Sequence, residues 1–328
     1  MIGWAWLVAT ESWSNTIADG FVLPKLCVLI AAASVILCSE KCKVQRPPKA
    51  LLVLLAISAC SALRGDNPQL SMFGFSGFPA YSVLGLALLT ALTCFQTDSR
   101  LGWLKVAGVA LSCHALLQKA GLDPLLAYER LPGGRAVAYI GSPVDLGAVL
   151  AMAFPVVPAR WRPLLAGGLW ATGSRAAWGA AAVSVTPRRW LPIFLLPAVW
   201  IFLHPRPTDL ARIELWKMAG KSFVEKPVLG HGPGSFIISF GRLKTKKFDE
   251  AMGKTTALQA QAHNDLLEAL STVGILGAAA YLIFVVPLLG HPSLLALFVV
   301  GKVDPVGFEV LACAALIIAV KIREEKTK

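Results

Sequence analysis

The sequence is poor in charged residues, which make up only 15% of its 328 residues, whereas 56% are hydrophobic. Soluble domains carry roughly 25% charged residues. A single soluble core has no need for the many apolar runs, separated by short polar breaks, that fill this chain. Regular alternation of polar and apolar positions is also lacking, which argues against a membrane β-barrel. The composition favours a bundle of α-helices in lipid, because a spanning segment must satisfy its own backbone hydrogen bonds.

The seven cysteines do not have the spacing of a metal site. Cys38 and Cys42 lack a second Cys/His pair nearby, so we predict no zinc site. The first apolar run, Trp4 to Ala9, is short and lacks a preceding basic region, so we expect no cleavable signal peptide. No Walker-type loop follows a strand, which argues against an ATP-driven pump.

The apolar runs predict about eleven membrane segments, within a range of about 10–12. Several are shorter than the roughly 20 residues that a straight span needs, so either the bilayer thins around them or some cross only in part. The expected fold class is all-α, a polytopic transmembrane helix bundle. The predicted segments lie near residues 20–38, 49–63, 79–95, 101–118, 143–158, 162–173, 175–187, 190–204, 265–288, 291–301 and 305–321.

The formal net charge of +12 has a topological explanation, because Lys and Arg collect on the cytoplasmic side of membrane proteins. With the N-terminus outside, four basic clusters fall on that side. They are Lys41, Lys43, Arg46 and Lys49 after the first segment, Arg160 and Arg162 after the fifth, Arg188 and Arg189 after the seventh, and Lys321, Arg323, Lys326 and Lys328 at the end.

The same topology divides the chain into transmembrane regions 1–204 and 265–328 and one large extracytoplasmic helical loop, 205–264. This loop is also basic, which long translocated loops tolerate. An anionic ligand and a solvated loop near anionic headgroups are both consistent with that charge.

Within the loop, Thr208 or Asp209 is expected to cap a helix that runs to about Glu225. A Lys-rich polar linker follows the glycine turn, and a second helix is expected to begin near Ala257 and to enter the membrane.

Two arginines are candidates for binding an anion. Arg212 and Trp216 are four residues apart, so they share one face of a helix, and a guanidinium forks onto phosphate oxygens. Arg175 lies between two apolar runs on the expected outer side, where an ionisable residue is a functional hypothesis by default. The structural alternatives are a headgroup anchor made of Arg and Trp, and an arginine that snorkels from a helix end.

A glycine turn and a histidine are weaker candidates. The turn Gly230-His231-Gly232-Pro233-Gly234 offers bare backbone N–H groups that could form an anion nest, with His231 expected to face water. His263 is expected at the water–lipid boundary, where a neutral imidazole can accept a proton from a hydroxyl near pH 7. A purely structural histidine is the alternative.

In their order and spacing, these segments resemble the O-antigen ligase / O-antigen polymerase family of bacterial membrane glycosyltransferases. The resemblance runs from about Arg135 to Gly277. It is carried by Arg135 with Gly141-Ser142-Pro143, by Thr172-Gly173-Ser174-Arg175, by Arg212 to Trp216 with Pro227 to Phe236, and by Ala262-His263-Asn264 with Gly274 to Gly277.

The resemblance implies a donor glycan on undecaprenyl diphosphate, transferred to an acceptor hydroxyl of lipid A–core or of another glycan. It places a multi-pass protein in the bacterial inner membrane, with its active site facing the periplasm, and implies no metal ion, cofactor or nucleic acid. Arg175 and Arg212 would hold the diphosphate, and His263 would activate the acceptor. Further possible substrate-binding residues are Arg135, Gly230, His231, Gly232 and Asn264.

Several functions stay open at this point. A ligase joins the finished polysaccharide to lipid A–core, whereas a polymerase joins repeat-unit chains, and both use the same donor; transfer to protein is a third possibility. A transporter or flippase for an anionic lipid or solute would also explain the many spans and the basic outer loop, and predicts broken helices or paired charges in the membrane. A non-catalytic assembly or immunity protein would tolerate the loss of His263.

Overall fold

The fold is taken from a computed structural model that describes residues 44–74, 82–95, 100–122, 134–138, 140–194, 207–253, 259–302 and 308–326. The predicted segment 20–38 lies outside these residues. Every regular element within the described ranges is helical, which confirms the all-α fold class.

The described residues form thirteen α-helices, numbered α1 to α13 in chain order. Short 3-10 helices cover Ala159–Trp161, Arg188–Phe194 and Val286–Gly290. The α-helices are α1 (Lys49–Arg64), α2 (Pro68–Phe73), α3 (Val83–Leu92), α4 (Gly102–Lys119), α5 (Pro143–Ala153), α6 (Arg162–Thr172), α7 (Arg175–Val185), α8 (Pro207–Glu225), α9 (Phe236–Leu243), α10 (Lys246–Ala251), α11 (Asp265–Val285), α12 (Pro292–Gly301) and α13 (Phe308–Lys326).

Polar caps fix where several of these helices begin. The Ser142 hydroxyl accepts hydrogen bonds from the N–H groups of Val144 and Asp145 at the start of α5, and Pro143 occupies the first helical position, where it loses no hydrogen bond. Asn67 caps α2 in the same way. These caps explain why helices begin at the polar breaks between the predicted apolar segments.

The main core is built around α5, whose residues from Leu146 to Ala153 are all buried. Helices α4, α6, α7, α12 and α13 contribute to the same apolar cluster. Small residues allow the close approach, since a side chain at Gly147 would collide with Ala177 of α7 and one at Gly108 would collide with Ala153. Such small-residue contacts are typical of helices that pack in a membrane.

One helical stretch among the described residues, Asp265–Gly290, is long and apolar enough to cross a membrane by length and composition. Val83–Leu92, Pro143–Ala153 and Pro292–Gly301 are apolar but shorter. The count of about eleven spans therefore stays a prediction.

The loop predicted at residues 205–264 has a small core of its own on α8. Phe236 and Phe240 of α9 and Phe248 of α10 are fully buried against Ala211, Leu215, Met218 and Ala219. The predicted helix end at Glu225 is confirmed by α8. The predicted cap at Thr208 or Asp209 is wrong, because α8 includes Pro207 and both residues lie inside its first turn. The prediction of a polar linker is wrong in part, because its phenylalanines fold it into α9 and α10.

The second loop helix begins later than predicted. Residues 259–264 are not helical, His263 has a left-handed backbone with φ of 55°, and α11 begins at Asp265 behind the cap residue Asn264. A helix from Ala257 is therefore wrong over these residues, because a left-handed residue cannot continue a right-handed helix.

Helix α11 is broken at Gly274, where φ is 68° and ψ is −168°. The segment Pro227–Gly232 fits into the break. The Gly232 N–H donates to the Thr272 carbonyl at 2.8 Å, and the Ile275 N–H donates to the Pro227 carbonyl at 2.8 Å. We call this pairing of residues 227–232 with residues 271–276 the glycine joint.

Candidate functional site

Arg175 is placed by the turn between α6 and α7. Gly173 ends α6 in the left-handed conformation with φ of 61°, and Ser174 caps α7 by accepting the Ala177 N–H at 3.3 Å. Arg175 is thus the first residue of α7. A cation at this end of a helix adds to the positive end of the helix dipole, so the position favours a neighbouring anion.

Arg175 and Arg212 meet at one carboxylate, that of Asp209. The Arg175 Nη2 lies 2.9 Å from both carboxylate oxygens of Asp209, and the Arg212 Nη1 lies 3.2 Å from Asp209 Oδ1. The side chains of Arg175 and Arg212 are 33% and 25% exposed, whereas that of Asp209 is 16% exposed. The structure therefore brings the two arginines together above a shared, more buried acid.

The surroundings of this cluster are positive. Arg175 begins α7, and Asp209 lies in the first turn of α8, so the N-terminal ends of two helices converge here. Two guanidinium groups face one carboxylate, and helix N-termini attract anions. This arrangement suits a phosphate group, which guanidinium groups bind with charge-assisted hydrogen bonds.

His263 is attached to the helix that carries Arg212. The indole Nε1 of Trp216 donates to the His263 carbonyl at 3.3 Å, and the His263 Nε2 lies 3.2 Å from Gln259 Oε1. Because Trp216 is one turn beyond Arg212, α8 positions both the arginine pair and the backbone of His263.

The residues on either side of His263 are also held. The Ala262 N–H donates to Glu268 Oε2 at 2.7 Å. Asn264 Oδ1 accepts the N–H groups of Leu266 and Leu267, and its Nδ2 donates to the Lys302 carbonyl at 3.0 Å. The Asn264 amide therefore caps α11 and ties it to the end of α12, which fixes the strained backbone of His263.

Arg135 lies behind the Arg175 turn. Its Nε donates to the Thr172 carbonyl at 2.7 Å, and its side chain packs against Gly173. This contact supports the turn that presents Arg175, two residues beyond Gly173.

The glycine turn does not have the geometry of an anion nest. The N–H groups of Gly230, His231 and Gly232 donate to the carbonyls of Lys226, Ser271 and Thr272. All three donors are already bonded to backbone carbonyls, two of them across the glycine joint, so the interpretation of these N–H groups as an anion nest is not supported.

The prediction that His231 faces water is wrong. Its side chain is 1% exposed, with Nδ1 at 2.8 Å from Asp66 Oδ2 and Nε2 at 3.0 Å from the Ser222 carbonyl. Burial raises the pKa of Asp66, but hydrogen bonds from Lys226 and His231 outweigh that effect and hold the pKa below its ordinary value. His231 thus joins the loop after α1 to the glycine joint.

A cavity of about 250 Å³ lies along α11. Its walls come from α1, α3, α11, α12 and α13 and are mostly apolar, with Asp265 and Glu268 among the few polar members. Such a lining suits an apolar chain.

Asp209 is the member of the cluster that sequence reasoning missed. Its spacing from Arg212 is a local ion-pair signal, because residues three apart on a helix are neighbours. Its contact with Arg175 spans 34 residues and has no local signal.

Comparison with known proteins adds an independent finding. Residues 85–282, more than half of the chain, match the protein family described as O-antigen ligase. Arg175, Arg212 and His263 all lie within the matched region. No curated protein matches the sequence significantly.

Proposed function

Because the chain belongs to the O-antigen ligase family, we propose that it is a multi-pass membrane glycosyltransferase of the ligase or polymerase type. It transfers a glycan from undecaprenyl diphosphate to an acceptor hydroxyl. The reaction takes place on the periplasmic side of the bacterial inner membrane. The acceptor is lipid A–core for a ligase and another glycan for a polymerase, and we favour the ligase.

The observation that carries this proposal is the convergence on α8. Arg212 meets Arg175 through Asp209, and one turn further along Trp216 holds the backbone of His263. Helix α8 therefore contacts both the cationic pair, through Arg212 and Asp209, and the backbone of the candidate base, through Trp216. A transferase with a diphosphate leaving group needs both.

In the proposed reaction, Arg175 and Arg212 bind the donor diphosphate. Negative charge grows on the diphosphate oxygen as its bond to the anomeric carbon breaks, and fixed guanidinium groups stabilise that charge. The two arginines supply this stabilisation without a metal ion or cofactor.

His263 is the proposed base. The acceptor oxygen attacks the anomeric carbon opposite the diphosphate, and its proton passes to the imidazole of His263. This attack forms the new glycosidic bond, releases undecaprenyl diphosphate and inverts the anomeric centre.

A transporter or flippase is the second candidate, because α11 is broken at Gly274 and transporters use broken membrane helices. In this chain, however, backbone groups at the break pair with residues 227–232. The break in α11 therefore accommodates the glycine joint. Because the backbone groups at the break are already paired, this arrangement favours the transferase over the transporter. Flux of a polyprenyl diphosphate across proteoliposomes without glycan transfer would instead support the transporter.

The test is complementation of bacteria that lack either their O-antigen ligase or their O-antigen polymerase, scored by the lipopolysaccharide ladder. The Arg175→Ala, Arg212→Ala and His263→Ala variants should reach the membrane and fail to rescue. Arg242→Ala is the matched control, since this loop arginine pairs with Glu225 at 2.7 Å outside the cluster. Normal rescue by all three site variants would contradict the proposal.

A further inference from the structure

We propose that Asp209 is the positioning residue for the donor diphosphate, because it holds Arg175 and Arg212 side by side. This inference rests on the proposed function, since it concerns the same anion site. Asp209 itself does not contact the phosphates in this scheme; it acts through the two arginines.

The two arginines come from different helices, and one oxygen of Asp209 accepts hydrogen bonds from both. Two guanidinium groups repel each other, so a site without an intervening anion would lose their common orientation. The carboxylate between them removes that repulsion and fixes both side chains before any donor arrives.

The contact engages only part of each guanidinium. A guanidinium has five N–H donors, and Asp209 bonds one terminal nitrogen of Arg175 and one of Arg212. The second terminal nitrogen of Arg175 is outside this contact. Bridging by Asp209 is therefore compatible with binding of a diphosphate at Arg175, beside the Arg212 guanidinium.

The exposure of the three side chains indicates that Asp209 positions the arginines and does not compete with the donor for them. The Asp209 side chain is less exposed than that of either arginine, so the guanidinium groups are more accessible from solvent than the carboxylate. An anion that approaches from solvent meets the arginines first. We therefore expect the replacement of Asp209 to weaken donor binding. If the carboxylate instead competed with the donor for the arginines, its replacement would strengthen donor binding.

The test measures the affinity of the full-length protein in detergent for farnesyl diphosphate, a short polyprenyl diphosphate. Asp209→Asn removes the charge at nearly constant volume, and we expect about a tenfold weaker affinity. In the Arg175→Ala/Arg212→Ala background the same substitution should have no further effect, because there is nothing left to position. A role in α8 stability alone would give the same loss in both backgrounds.

The matched control is Asp249→Asn. Asp249 lies in the first turn of α10 and pairs with Lys244 at 2.7 Å, so the substitution removes an equivalent carboxylate and ion pair elsewhere in the loop. Unchanged or tighter binding by Asp209→Asn would overturn the inference, as would an equal loss in Asp249→Asn. If Arg175→Ala and Arg212→Ala themselves bind like the wild type, the proposed function fails instead.

Discussion

Two regions contain N–H donors that the sequence suggests for binding an anion: the glycine joint and the arginine cluster, which consists of Arg175, Arg212 and Asp209. Only the arginine cluster has the geometry of a binding site. At the cluster, the donors belong to partly exposed Arg175 and Arg212, which share a less exposed acid, Asp209. At the joint, the N–H groups of Gly230 and Gly232 donate to backbone carbonyls. A backbone donor binds a ligand only where secondary structure and packing have not already used it.

The glycines of the joint have a steric purpose. Gly230 has φ of 68°, and a side chain there would collide with the backbone of Thr272. A side chain at Gly274, in the other segment of the joint, would collide with the backbone of Val228. The two segments approach so closely that only glycine fits at either position.

The largest effect should come from the arginine cluster. Arg175→Ala and Arg212→Ala each remove a donor that stabilises charge on the leaving group, so transfer should fall by about 100-fold or more. The check is kcat/KM with a purified lipid-linked glycan. The Lys variants should fall in between, because they keep the charge but lose the fork. Lys variants as active as the wild type would show that the fork is not used, whereas Lys variants as inactive as the Ala variants would show that charge alone contributes nothing.

The next effect concerns stability at the glycine joint. Gly230→Ala should lower the free energy of unfolding by about 2 kcal/mol or more, because of the positive φ and the collision with Thr272. Thermal unfolding in detergent measures it, and farnesyl diphosphate affinity of the folded fraction should not change.

Gly220→Ala provides the control for that prediction. Gly220 lies inside α8 with open space around it, so alanine there should stabilise the helix by about 0.5–1 kcal/mol. If Gly230→Ala had normal stability but no longer bound farnesyl diphosphate, the prediction would be wrong. The anion site would then lie at the glycine joint and not at the arginine cluster.

A smaller effect is expected at the cap beside His263. Asn264→Ala should cost about 1 kcal/mol of stability and also lower kcat, because the cap fixes the left-handed His263. Asn67→Ala removes a comparable cap from α2 and should leave kcat unchanged. Equal kcat values for the two variants would show that the Asn264 cap does not contribute to catalysis.

The smallest effect is a pH dependence at the joint. The pKa of Asp66 in the folded protein lies below its ordinary value of 3.8, so Asp66 stabilises the fold above that pH and the contribution is lost as the pH falls through the folded pKa. The thermal midpoints of wild type and Asp66→Asn should differ at pH 7 and converge below about pH 4. A difference that is constant with pH would contradict this assignment.

The sequence was sufficient for features that depend on local pattern. The helix end at Glu225 and the all-α class follow from apolar runs and the polar breaks between them. The sequence pattern marked Arg175 and Arg212 as separate candidates, and the family resemblance assigned both to one diphosphate. The role of Asp209 and the burial of His231 depend on contacts with Arg175 and Asp66, which are 34 and 165 residues away in sequence. No local pattern encodes such contacts, so the glycine turn was interpreted by its composition alone.

The most direct test of the arginine cluster is a structure of the full-length protein with a polyprenyl diphosphate bound. We expect phosphate oxygens within hydrogen-bond distance of the guanidinium groups of both Arg175 and Arg212, with Asp209 still bridging them from below. Phosphates bound instead at the Gly230–Gly234 turn, or away from both arginines, would contradict the account.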